Sequence, residues 1–205
     1  MRLILVGCEY VGKTTLADAL QAWGLERGRN FHMDDHFTIP DAQHVNEEEQ
    51  EAMLALPGAV KERYQRFQVH YHVRLLHRYD DIILVGFHIE EAIYGPRYYY
   101  PGLAMTYERQ VEPEFPRDAV LALLTARPEV IRARMATAPH RHSVVPPEDV
   151  EAVQQQFEAA YGASWVPRKV RLDTSELRPE QILDRFLAVV RPRLAARDLL
   201  LLDSC

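Results

Sequence analysis

Leu3-Ile4-Leu5-Val6-Gly7-Cys8-Glu9-Tyr10-Val11-Gly12-Lys13-Thr14-Thr15 is the stretch that decides how this chain reads. Residues 7–14 spell G-x-x-x-x-G-K-T. An apolar run precedes them, and a segment with helical periodicity follows, with Leu16, Ala19, Leu20 and Trp23 on one face. The motif therefore sits at a strand-to-helix turn, where its chemistry needs it. Glycines let backbone N–H groups converge on an anion, and the helix that opens near Lys13 adds the positive end of its dipole. Residues Gly7 to Thr15 are thus expected to cradle the phosphates of ATP. Lys13 bridges the β- and γ-phosphates in that arrangement, and the Thr14 hydroxyl ligates Mg²⁺. The loop commits the protein to a nucleoside triphosphate without saying where the γ-phosphoryl group goes.

Working outward, 205 residues suit one domain, 1–205, with a sizeable core. A net charge of −6 speaks against a general affinity for nucleic acid. No apolar run is long enough to span a bilayer, and Met1-Arg2 leads straight into the first strand, leaving no room for a signal peptide. Two cysteines, Cys8 and Cys205, are too few for a disulfide framework or a zinc cluster. A cytoplasmic location is the expectation. Leu199-Leu200-Leu201-Leu202 is too short for an anchor and reads as a docked helix end or a partner contact.

The pattern predicts strands over about residues 2–6, 30–33, 82–85, 119–124 and 169–172. Helices are expected over about residues 13–26, 47–56, 59–79, 128–136, 148–161 and 179–195. On the long helix, Val60, Tyr64, Phe67, Tyr71 and Leu75 share one face. Strands alternating with helices imply an α/β fold. The expected form is the P-loop NTPase three-layer sandwich, a central parallel sheet of about five strands with helices on both faces. Residues 138–147, polar and proline-rich, form an expected mobile lid.

N-K-x-D, the guanine reader of GTPases, and L-S-G-G-Q, the transporter-ATPase signature, are both missing. Four stretches point to small-molecule kinases instead. They are the loop with Glu9, Phe87-His88-Ile89-Glu90-Glu91-Ala92-Ile93-Tyr94-Gly95, Leu123-Leu124-Thr125-Ala126-Arg127-Pro128-Glu129-Val130-Ile131-Arg132-Ala133-Arg134, and Val170-Arg171-Leu172-Asp173-Thr174-Ser175. Together they resemble the thymidylate kinase and deoxynucleoside kinase families of P-loop kinases. The resemblance implies that Glu9 contacts the acceptor sugar, and that the long helix lines the acceptor pocket through an arginine, Arg74. At the family's Asp-Arg positions after the third strand, however, this chain has Val85-Gly86. A carboxylate must come from elsewhere, or the acceptor differs.

Asp34-Asp35, in Met33-Asp34-Asp35-His36-Phe37, is one source. It is similar to the acidic stretch of uridine kinases and nicotinamide riboside kinases, and it falls at the C-terminal edge of the sheet, where ligands bind in open α/β folds. In such kinases a carboxylate orients or deprotonates the acceptor hydroxyl. Glu90, beside His88 and Glu91, is another source. Arg134 and Arg141, at and in the lid, are expected to meet the charge that develops on the transferred group. Arg97, followed by Tyr98-Tyr99-Tyr100, could hold a base or phosphate. The functional expectation is an ATP- and Mg²⁺-dependent phosphotransferase acting on a small-molecule nucleoside or nucleotide, with a homodimer as a possible assembly. Lys13, Asp34, Asp35, Arg134 and Arg141 are its expected catalytic residues; Glu9, Asp35, Arg74 and Arg97 serve the acceptor. The alternatives are a regulatory NTPase without phosphotransfer, which the Val85-Gly86 departure favours, and a kinase of a polynucleotide end or modified base.

Overall fold

The computed structural model describes residues 1–34, 38–39, 43–44, 46–103, 106–141 and 143–203. Asp35 lies outside the described residues. Five parallel strands form the central sheet: β1 (Arg2–Val6), β2 (His32–Asp34), β5 (Ile82–Val85), β6 (Val120–Thr125) and β7 (Arg168–Asp173), in the order β2-β5-β1-β6-β7. A short antiparallel ladder, β3 (Thr38–Ile39) with β4 (Gln43–His44), stands apart. The middle of the sheet is apolar because helices cover both faces. Leu3, Ile4, Leu5 and Val6 are fully buried, as are Ile82, Ile83, Leu121 and Leu123.

The register brings the strand ends into line. Leu5 pairs with Val85, Val6 with Leu123, and Asp34 with Leu84. Every chain direction is the same, so the C-terminal ends share one edge of the sheet. That edge carries everything of chemical interest.

Helix α1 (Lys13–Leu25) and helix α8 (Ile182–Val190) pack together over one face. Leu16, Ala17, Leu20 and Trp23 of α1, and Ile182, Phe186 and Val190 of α8, are their buried residues. On the other face, α3 (Gly58–Arg78) packs on β5, and α7 (Val150–Ala163) packs on β6. Helix α4 (His88–Tyr94), continued by a π-helical turn over Gly95–Tyr99, packs on α7 and on α5 (Tyr107–Val111). Helices α2 (Glu47–Leu54), α6 (Pro128–Thr137) and α9 (Ala196–Asp203) complete the set. No helix among the described residues is long and apolar enough to cross a membrane.

Four local expectations are corrected. The final helix is shorter: α8 ends at Val190, and Pro192 ends the run in a 3-10 turn over Arg191–Arg193. Helix α7 begins two residues late, because Pro147–Asp149 forms a 3-10 turn first. Helices α4 and α5 were not among the expected helices; Leu199–Leu202 does lie in a helix, α9, which buries Leu201 while Leu200 is exposed. The stripe on α3 is displaced. Val60, Tyr64 and Phe67 are exposed, Phe67 at 66%, whereas Leu75 of the expected stripe is buried and Tyr71 half-buried against the core; Gln65, Gln68, Val69, His72, Val73 and Leu76 also face inward. Only the second half of α3 packs apolar residues on the sheet. Its middle faces a cavity, and there amides and an imidazole turn inward in place of large apolar groups.

Candidate active site

The turn after β1 requires glycine twice. Gly7 has φ +146°, and a Cβ there would lie 2.3 Å from the Leu124 carbonyl oxygen; Gly12 has φ +95° at the start of α1. Between them Tyr10 also adopts a left-handed conformation, φ 63°. The loop borders a cavity of about 780 Å³, walled by residues 8–15 on one side. Arg134, His140, Thr174, Leu177, Arg178 and Pro179 are among the residues of the opposite wall. The contribution of residues 177–179, from the turn after β7, was missed in the sequence; an irregular turn carries no motif.

Lys13 reaches back over its own loop. Its Nζ donates to the carbonyl oxygens of Gly7 at 2.5 Å and Cys8 at 3.4 Å, and it lies 2.8 Å from Glu90 Oε2. Burial pushes the Cys8 thiol up to about 11, so this cysteine is an inert part of the loop. Thr14 and Thr15 are exposed on the first turn of α1. A hydroxyl there fits Mg²⁺ held mainly by phosphate oxygens and water, which needs few protein ligands.

Glu90 owes its place to Gly86. After β5, Gly86 has φ +93°, and a Cβ on it would come within 3.0 Å of the Glu90 carboxylate. Phe87 follows with φ 72° and ψ −155°, a region that only glycine visits easily. This bend starts α4 and turns Glu90 back over the strand end. The Val85-Gly86 departure thus removes one acid and makes room for another.

A second, tight cavity of about 20 Å³ adjoins the first and shares Val85 and Glu90 with it. Gln65, Gln68 and His72 of α3 line it, with Phe87, Glu91, Tyr94 and Tyr99. At this size it holds one or two waters, so a larger guest requires α3 or the lid to shift. Burial, more than the nearby charges of Glu90 and Glu62, pushes the Glu91 carboxyl up to about 7, and Tyr100 donates a short hydrogen bond to it.

The remaining expected residues distribute as follows. Asp34 is the last residue of β2 and is 2% exposed. It lies behind the second cavity rather than in its wall, with Oδ2 3.4 Å from His72 Nε2. Arg134 is tied down: Nη1 donates to the Tyr10 carbonyl at 2.9 Å and Nη2 to that of Thr174 at 2.8 Å. Burial lowers its pKa. Glu9 faces the lid. Its carboxylate accepts bonds from Ser143 Oγ at 2.7 Å and from the amides of Val144 and Val145, both at 3.1 Å. Tyr10 adds to this contact, stacking on His140 at 4.1 Å between ring centres and accepting a hydrogen bond from the His140 amide. Arg141, 54% exposed, pairs with Glu47 and Glu51 and so ties the segment after α6 to α2.

Three residues lie away from both cavities. Arg74 is on the exposed side of α3. Arg97 pairs with Asp149 at 2.8 Å, where Tyr98 also donates. His88 is fully buried against Glu112, 2.8 Å away, and serves packing. Gln65, Gln68 and His72 were missed as site residues; polar residues at scattered helix positions give no signal until the fold shows what they face.

No protein-family model and no curated relative matches the sequence. Solved structures do match. YorR from Bacillus subtilis, in complex with phosphorylated GDP, superposes with a TM-score of 0.60 at 17% identity, over 92% of this chain and 94% of that one. Deoxyadenosine kinase from M. mycoides with bound dATP gives 0.60 at 13% identity, over 92% and 98%. Shikimate kinase from Bacteroides thetaiotaomicron gives 0.51 at 13%, over 92% and 97%. With its parallel sheet, its phosphate loop after β1 and its coverage of these structures over nearly their whole length, the chain has the P-loop kinase fold.

Proposed function

We propose that the protein is an ATP- and Mg²⁺-dependent phosphotransferase whose acceptor is a small molecule of the nucleoside or nucleotide type, with a thymidylate-like acceptor as one member of that class. One observation carries the reading. Glu90 belongs to the walls of both cavities and stands beside Lys13. A triphosphate on the loop and a hydroxyl in the second cavity meet at this carboxylate. As the acceptor oxygen bonds to the γ-phosphorus, its proton passes to Glu90, and the bond to the ADP oxygen breaks. Lys13 and Arg134 supply positive charge where negative charge spreads. Thr14 is the residue that would hold a magnesium ion, which would supply neutralisation of phosphate charge. The expected lid, whose His140 rests on Tyr10 and whose residues 143–145 rest on Glu9, would close the site against water.

The test is ADP release from Mg·ATP across nucleosides, nucleotides, sugars, shikimate and short oligonucleotides. One small acceptor is expected to raise the rate, and Lys13→Ala to lower it by about 10²-fold or more with the fold intact. Wild-type turnover in Lys13→Ala, or ATP hydrolysis indifferent to every acceptor, defeats the proposal; the second result is the signature of a regulatory NTPase.

A further inference from the structure

The second cavity has a charge signature of its own. Glu90 and Glu91 of α4 contribute two carboxyl groups; Gln65, Gln68 and His72 of α3 contribute amides and an imidazole. Among the described residues, neither lysine nor arginine lines it. Lys13 stands on the far side of Glu90 and belongs to the phosphate loop, and other cations nearby are engaged elsewhere. Lys61 donates to the Leu54 carbonyl, Arg66 pairs with Glu62, and Arg97 pairs with Asp149. Residues 35–37, 40–42, 45, 104–105 and 142 contain no lysine or arginine either.

The lining groups register this field. Behind burial, the charge of Glu90 is the next cause raising the hydroxyl pKa of Tyr94 and of Tyr99. A phosphate ester or carboxylate entering here would meet like charge at low dielectric, with no guanidinium fork in the wall and, once a triphosphate on the loop holds Lys13, no ammonium to receive it. Amides, phenols and an imidazole suit hydroxyls and heterocyclic edges, which both donate and accept.

We infer that the acceptor is an uncharged polyhydroxyl molecule, a nucleoside or a free sugar, and that phosphate esters and carboxylic acids are rejected. This rests on the phosphotransferase reading and narrows its acceptor from "nucleoside or nucleotide" to a neutral hydroxyl compound.

The full chain, loaded with Mg²⁺ and a non-hydrolysable ATP analogue, is titrated calorimetrically with matched pairs. These are five nucleosides and ribose, each against its 5′-phosphate, together with shikimate as a carboxylate. ADP release is then followed with the same compounds and ATP. At least one neutral compound binds and reacts, and it exceeds its phosphate ester by about 100-fold or more in kcat/KM. Reaction with nucleosides but not ribose, or the reverse, identifies which neutral class is taken. Gln68→Arg, which places a guanidinium in the wall, narrows the gap at least about tenfold. A phosphate ester or shikimate that outperforms the neutral compounds overturns the inference and leaves phosphotransfer standing. Binding by no neutral compound overturns it as well. ADP release that no acceptor changes overturns the phosphotransferase reading beneath it.

Discussion

Glu90 and Lys13 face each other across the boundary of two cavities, and each defines the other's chemistry. Glu90→Gln keeps the size of the side chain and removes its ability to take a proton. Its expected effect is a fall in kcat of about 10²-fold or more, within the range for loss of a general base. ATP affinity should hold or improve, because Lys13 loses a competing partner. Steady-state kinetics with whichever acceptor the ADP-release panel identifies checks both; a kcat within a few-fold of wild type means that Glu90 only neutralises Lys13. At this scale legibility followed locality. Lys13 and Thr14 are read from eight consecutive residues. Glu90 could be named as a candidate, but its position depends on the missing side chain at Gly86. Gln68 and His72 could not be named, since only the packing of α3 reveals that they face a cavity. Asp34 illustrates the opposite case: its place at the end of β2 was readable, yet its carboxylate lies behind His72.

Among the elements, the lid is the one whose attachment can be taken apart. Residues 143–145 rest on a single carboxylate, that of Glu9. Hydrogen bonds to a charged group each contribute about 1.5–3 kcal/mol. In Glu9→Ala, the amides of Val144 and Val145 are expected to exchange with deuterium at least about tenfold faster, while amides in β1 and β6 are unchanged. Equal protection in the two proteins would show that packing alone holds the lid. The segment between α6 and α7 could be delimited in the sequence because proline and polar residues interrupt two helices. It misplaced the face of α3 because periodicity counts large apolar residues, and Val60 and Phe67 satisfy the count while remaining exposed. The bury-the-apolar rule fails where a helix lines a polar cavity, so the displaced stripe itself marks the site.

For the whole molecule, five parallel strands were readable because β1, β5 and β6 are continuous apolar runs, as a sheet covered on both faces demands. Stability should carry a pH signature from Glu91, whose carboxyl sits at about 7 in the fold against 4.5 in the open chain. Below pH 4.5 it is protonated in both states and costs nothing. Between pH 4.5 and 7 the folded protein binds the extra proton, so stability falls as pH rises, and levels off above 7. Urea unfolding at pH 5 and pH 8 should show Glu91→Gln losing less stability than wild type, by up to roughly 3 kcal/mol. Identical slopes in the two proteins would remove Glu91 from that role.

The Lys13–Glu90 ion pair also imposes a sequence in time. In the empty molecule each partner cancels the other, so neither substrate finds its full complement of charge. An arriving triphosphate draws Lys13 away and leaves Glu90 bare, and only then does the neighbouring chamber hold an unmasked proton acceptor. The two substrates therefore should not enter at random. ATP leads and the acceptor follows, a compulsory order that initial-rate patterns with a dead-end acceptor analogue would display as inhibition competitive toward the acceptor and uncompetitive toward ATP.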